Sequence, residues 1–452
     1  YSALPGHRHV PTFAREVIVM KKPSLPVMIV TGIIVALSAL MIALLVFISN
    51  QPKPMRGVEP LVVIAAMEPD SAQWGLNFPN QYSTLLKTET NNTRTAFGGS
   101  EPVDKLAVDP MLKTLFAGYG VSKAYDEDRG HMNALTDVRN TPRVNETTPA
   151  TCYSCKSSDN PKLWDEMGMA AYDKMSFADM TAKITEPIGC ANCHDAATMR
   201  LVVTNPALDE ALKAQGKDWR TFTRQEMRTV VCANCHVEYY FAGEGKYLTF
   251  PWKNGTTAEA MMAYYDEIQF KDWEHPQSKT PMIKMQHPDY ELFTAGSTHY
   301  KAGVACADCH MPYTRDGAAK FSSHDVKSPL LMASQSCGTC HTDVEYVVER
   351  VAAIQKQVND TMLATERAIV DAIGAIETAS KAAGANTALL DEARQLHREA
   401  QMRWDFISAE NSRGFHNPEE ALRILATATD LARQAQLKAV QAGLGSSQAS
   451  QP

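Results

Sequence analysis

Every one of the ten cysteines falls in a C-x-x-C pair: Cys152/Cys155, Cys190/Cys193, Cys232/Cys235, Cys306/Cys309 and Cys337/Cys340. Four pairs are followed at once by histidine (His194, His236, His310, His341), and the first is followed by Lys156. In C-x-x-C-H both thiols form thioethers to a porphyrin, and the next residue turns back to ligate its iron. Zinc ribbons also use C-x-x-C, but they need pairs in couples and have no use for a ligand directly after each pair. Five pairs therefore point to five covalently bound haems c, with no thiol left for a disulfide or a nucleophile.

Low-spin electron-transfer haems need a second axial ligand each. Of 13 histidines, nine lie outside the motifs: His7, His9, His131, His275, His287, His299, His324, His397 and His416. His7 and His9 precede an apolar segment and are set aside, so seven candidates serve four positions without invoking methionine. His397 lies in the charged helical run RQLHREAQ and reads as a solvated surface residue. Lys156 is the anomaly. An amine ligates iron only when deprotonated, and as a pure σ-donor it alters the iron electronics, which marks this haem as a catalyst.

The haems act as core around which the chain wraps, so the fold is expected to be mainly α: a multihaem cytochrome c with short helices and loops wrapped around five haems, plus long C-terminal helices. Residues 1–26 form an N-terminal segment, with a start-like Met20-Lys-Lys inside it. Residues 27–49 are 23 apolar residues without a charge, preceded by Lys21 and Lys22. Such a run suffices to span a bilayer with its C-terminal side exported, as a signal anchor or a signal peptide. Either places the haem region in the periplasm or on the outer face of the cytoplasmic membrane. Residues 50–60 read as a Pro-rich linker, 61–345 as the haem-binding catalytic region, and 443–452 as a disordered tail. Within 346–442, Val347, Val351, Ile354, Val358, Met362 and Ile369 form a helical stripe interrupted by Thr365. Helices are expected over about 342–383, 387–409 and 418–442, contributing a haem ligand and a homodimer contact. A net charge of −7 excludes the usual basic footprint of a nucleic-acid binder, and it leaves any anionic substrate to be drawn by a local basic group.

C-x-x-C-K followed by four C-x-x-C-H motifs, together with Arg129-Gly-His131, DVRNTPR ending in Arg143, CHVEYY (Cys235–Tyr240), KTPMIKMQHPDYE (Lys279–Glu291) and His416-Asn-Pro-Glu, resembles the pentahaem, ammonia-forming cytochrome c nitrite reductases of the cytochrome c-552 family. The resemblance runs over roughly residues 70–440. It implies that Cys152, Cys155 and Lys156 hold haem 1, whose distal face is open to nitrite. It pairs His194 with His324 (haem 2), His236 with His131 (haem 3), His310 with His416 (haem 4) and His341 with His299 (haem 5). It implies a catalytic pocket of Arg143, Tyr239 and His287 beside Lys156, and one calcium ion held by Glu238, Gln286 and the carbonyls of Tyr239 and Lys284. The implied partners are nitrite and either a quinol-oxidising membrane cytochrome or a soluble electron donor. His275 and His397 are left without a haem role. Rival expectations are a periplasmic multihaem electron carrier and a related reductase of hydroxylamine or sulfur oxyanions.

Overall fold

The computed structural model describes residues 24–50, 60–127 and 129–444. Residues 1–23 of the N-terminal segment, linker residues 51–59 and tail residues 445–452 lie outside the described residues. Tyr1–Pro60 and Leu61–Pro452 separate as two units. In the first, Leu25–Asn50 is one α-helix. Its segment Met28–Phe47 has a mean hydropathy of 2.8 and is long and apolar enough to cross a membrane.

In the second unit the elements before residue 342 are short; the longest described helix there, Pro79–Thr90, has 12 residues. Among the described residues, sheet is confined to four two-stranded antiparallel hairpins, at 94–99, 240–249, 273–282 and 313–322. Architecture changes after His341. Val344–Ser380, Thr387–Ala409 and Pro418–Leu444 are long helices, the last running two residues into the stretch read as tail.

Local chemistry sets their ends. Asp343 caps the first through Tyr346 N at 2.9 Å, Asn386 caps the second through Leu389 N at 3.2 Å, and Pro418 opens the third. Gly384, with φ of 73°, takes the left-handed conformation that breaks the chain between the first two. The third helix buries Ala421, Ala428, Ala432, Ala435, Ala439 and Ala442, small side chains that let it lie close to its neighbours. One core cluster joins Phe116, Tyr153 and Trp252 to Val358, Met362, Trp404 and Ile424 of these helices.

Two expectations are corrected. Thr365 does not interrupt the stripe: it is buried, and its hydroxyl lies 2.8 Å from that of Thr429, so a polar pair fastens the first helix to the third. His397 is not a solvated residue but fully buried. The charges flanking it misled, because the neighbouring Arg398 is itself buried and donates to Asp266, Pro281 O and Phe270 O.

The first long helix also buries Glu366, whose carboxyl burial, reinforced by Asp109, pushes up to about 9. A carboxyl that binds its proton more tightly when folded stabilises the fold fully below its unfolded pKa, and that contribution is lost as pH rises through about 9. Glu366→Gln removes the charge without changing the shape. Between pH 6 and pH 9 the variant should lose less stability than the parent, by up to about 4 kcal/mol. Identical pH slopes in thermal or denaturant unfolding would refute this.

Candidate functional site

Each C-x-x-C pair sits on one tight turn. Those of Cys152, Cys190, Cys232 and Cys337 are 3-10 turns, and Cys306–His310 is a short helix. Residues three and four apart face the same side of such a turn, which presents both thiols and the following ligand together. In three histidine motifs the ligand's amide donates to the first cysteine's carbonyl: His194 to Cys190 at 3.0 Å, His236 to Cys232 at 2.9 Å and His341 to Cys337 at 2.9 Å. The lysine motif closes differently, with Lys156 N donating to Tyr153 O at 2.9 Å.

An iron held between two imidazoles sets their ring centres about 6 Å apart, roughly 2 Å from metal to each nitrogen and about 1 Å more to each ring centre. His194 and His324 are 6.3 Å apart, His310 and His416 6.3 Å, and His299 and His341 6.4 Å. These residues fit haem. For His236 two rings approach. His131 is half-buried, with His236 foremost among the charges around it. His287 lies edge-on at 6.4 Å, because its amide donates to Val237 O at 3.3 Å and Tyr290 N donates to His236 O at 3.1 Å, holding the two segments side by side. Burial pushes His131, His310 and His324 down to about 4, which keeps them in the neutral form that binds metal.

The other ring nitrogen is engaged as well, which fixes the tautomer and leaves Nε2 for iron. Nδ1 of His194, His310 and His324 faces the carbonyls of Met199, Lys327 and Ser322 at 3.0, 3.1 and 3.0 Å. His236 and His416 instead face carboxylates, those of Asp289 and of Asp289 with Glu410. Asp289, Glu410 and His416 are close enough together to hold a cation; of the two rings, His236 is hydrogen-bonded to Asp289, while His416 Nδ1 meets its two carboxylates at ion-pair distance only.

The attachment turns form a chain. Cys155 and Cys235 are within thiol hydrogen-bonding reach, as are Cys232 and Cys306, while Cys309 lies near Cys337 and Cys193 near Cys235. The order is thus first, third, fourth, fifth, with the second branching from the third.

The lysine motif gathers two of the remaining candidates, Arg143 and Tyr239. Cys152 lies within electrostatic reach of both Arg143 and Lys156. Tyr239 faces Cys155 and Cys152, and burial pushes its hydroxyl well above the usual range, keeping it protonated. Arg143 is exposed, with Nε donating to Thr141 Oγ1 at 3.2 Å. The same backbone pairing that carries His287 past Val237 brings it to the segment bearing Tyr239. A residue missed by the sequence reading is Tyr119. It stacks on Trp273 at 4.7 Å and is close in charge to Arg143, Cys152 and Tyr239. A lone tyrosine in a Gly-rich turn gave no signal.

Glu238 is fully buried; its carboxylate accepts from Gln286 N at 2.5 Å and Tyr265 Oη at 2.8 Å. Gln286 Nε2 lies 3.2 Å from Lys284 O. Carboxylate, side-chain amide and carbonyl thus lie close together, and their oxygens are the hard donor type that suits calcium. The Lys284 ammonium turns away to Asp405, at 2.9 Å.

Asp405 belongs to a polar face of the helix Thr387–Ala409 that was also missed. Gln401 donates to Leu115 O at 2.6 Å, and Arg394 to Ser278 O at 3.0 Å. His397 meets Thr280 at 3.0 Å and Gln401 at 3.1 Å. His275, buried at 5.8 Å from the His397 ring, donates from Nε2 to Thr114 O at 2.8 Å. These two histidines hold structure, not haem. The available signal was the recurrence of His397, Gln401 and Asp405 every four residues, one helical stripe of polar groups.

Comparison with known proteins agrees with this geometry. The cytochrome c552 family profile matches residues 70–451. The chain is 43% identical over 386 residues to a cytochrome c-552 of Parabacteroides distasonis, covering 83% of this chain and 77% of that one. It is 42% identical to a Bacteroides fragilis cytochrome c-552, covering 83% and 78%. A solved structure, the catalytic subunit of the Desulfovibrio desulfuricans cytochrome c nitrite reductase, described as having two calcium sites, superposes with a TM-score of 0.81 at 37% identity, covering 85% of this chain and 89% of that one. With five attachment turns and histidine rings spaced for haem iron, the chain belongs to the cytochrome c552 family.

Proposed function

We propose that this chain is an ammonia-forming cytochrome c nitrite reductase. The observation that carries the proposal is that the one attachment turn ending in lysine is the turn whose thiols face Arg143 and Tyr239. When bound, the haem at Lys156 supplies electrons and an iron coordination site for nitrite. The chain's own residues do the rest. The Arg143 guanidinium supplies the local positive charge that a chain of net charge −7 does not. His287 donates protons as oxygen leaves as water, and the protonated Tyr239 hydroxyl orients the bound anion.

His131, His299, His324 and His416 complete haems 3, 5, 2 and 4, and Cys190, Cys193, Cys232, Cys235, Cys306, Cys309, Cys337 and Cys340 anchor them. Glu238, Gln286 and the carbonyls of Tyr239 and Lys284 hold calcium; because Tyr239 and His287 adjoin these ligands, the ion preorganises the pocket. The apolar helix directs export, placing the haem unit in the periplasm or on the outer face of the cytoplasmic membrane, where a quinol-oxidising cytochrome or a soluble donor reduces it. Exposed Leu437 and Val440, beside the small residues Gly374, Ala375 and Gly443, support a homodimer through the long helices.

Purified protein given nitrite and reduced viologen should release ammonium, six electrons per nitrite. Full haem loading without ammonium would falsify the proposal.

A further inference from the structure

Three of the haem-ligand histidines rest their Nδ1 on neutral backbone carbonyls, but His236 and His416 do not. One carboxylate, Asp289, reaches both: Oδ2 lies 2.9 Å from His236 Nδ1, and Oδ1 lies 3.5 Å from His416 Nδ1. Asp289 is only 8% exposed. Two donors from Asn411, its amide at 2.7 Å and Nδ2 at 2.8 Å, hold it in place. His416 alone receives a second carboxylate, Glu410, at 3.2 Å.

We propose that Asp289 sets the reduction potentials of two neighbouring haems at once, those ligated by His236 and by His416. A carboxylate accepting an Nδ1 proton, as Asp289 does from His236, draws the imidazole toward imidazolate, makes it a stronger donor to iron and favours the ferric state; on His416, 3.5 Å away and outside hydrogen-bond geometry, Asp289 acts through its charge. A backbone carbonyl, being neutral, does this less. In a buried site the anion's charge is also weakly screened. The two attachment turns involved are adjacent, since Cys232 and Cys306 are within thiol reach. One anion therefore lowers both potentials together and keeps them matched, so that an electron passing between them meets no large step. Glu410 lowers the His416 haem further. That haem lies one stage farther from the lysine turn, so the downhill direction runs through the His236 haem toward the catalytic one.

The inference rests on the haem pairing proposed above and not on the nitrite chemistry. The test is a redox titration of the purified five-haem protein, read by visible and EPR spectra. Asp289→Asn should shift two of the five midpoint potentials upward. Glu410→Gln should shift one of the same two. Asn411→Ala, a surface change that strips a donor from Asp289 and leaves more of its charge for the rings, should shift the same two downward. If Asp289→Asn does not take up haem, Asn411→Ala decides the matter alone. Potentials that stay put, a single shift with Asp289→Asn or Asn411→Ala, or five equal shifts would overturn the inference. Nitrite turnover, measured alongside, separates the two readings. A parent protein that makes no ammonium refutes the enzyme assignment and leaves the shifts interpretable; full turnover with unmoved potentials overturns the role of Asp289 alone.

Discussion

Lys156→His is expected to retain five haems and to lose about 100-fold or more in nitrite turnover. Both thiols that carry the porphyrin, Cys152 and Cys155, are untouched, and the change creates the same C-x-x-C-H order as the other four turns. Attachment should therefore survive. What changes is the ligand and its turn. Lys156 closes onto Tyr153 O, one residue later than the cysteine carbonyl used by His194, His236 and His341. A flexible amine reaching from this tighter turn is replaced by a rigid ring that accepts as well as donates electron density. Haem stoichiometry by mass and pyridine haemochrome, followed by steady-state ammonium formation, checks both halves. Turnover within about twofold of the parent would show that lysine is incidental to the chemistry.

The covalent framework was legible in the sequence because its grammar is local: two thiols and a ligand must share one turn, so five turns could be read from spacing alone. The long C-terminal helices were legible for a similar reason, since Asp343, Gly384, Asn386 and Pro418 are stop and start signals a few residues long. Distal ligands were not legible from spacing and were paired only through the family resemblance. His324 meets His194 and His416 meets His310 across long stretches of chain, and composition only established that enough histidines existed. The buried polar face of Thr387–Ala409 was hidden by its charges. Arg398 and His397 look solvated in sequence, because a charged residue buried against backbone carbonyls has the same letter as one in water. Asp289 was hidden in another way. Its two histidines lie at residues 236 and 416, so its bridging role exists only once both segments are folded against it.

Asp405→Ala should be the most damaging change away from the haem ligands, costing about 3–5 kcal/mol of stability. Its Oδ1 lies 2.9 Å from Lys284 Nζ, and its Oδ2 accepts from Met285 N at 2.8 Å. The side chains of Lys284 and Asp405 are 4% and 0% exposed, so water cannot replace the lost partner. Burial opposes a charged Lys284, but Asp405 holds its amine above the usual range, and removing Asp405 strands an ammonium over Phe116 and Tyr125. The Met285 amide loses its acceptor in the same stroke, at about 1–3 kcal/mol in isolation, although the two losses share one site and do not add. Function should fall with stability, because Lys284 and Met285 directly precede Gln286 and His287. Once Asp405 no longer grips the chain there, the Lys284 carbonyl, the Gln286 side chain and the His287 ring lose their common anchor. The expected signature is a lower melting temperature together with a drop in kcat larger than the change in KM. Asp405→Asn, which keeps the hydrogen-bonding shape and loses only the charge, should fall between the parent and the alanine variant. If the alanine variant melts with the parent and makes ammonium at the parental rate, the helix Thr387–Ala409 does not position the pocket, and the loop bearing His287 is held by its bonds to Val237 and Glu238.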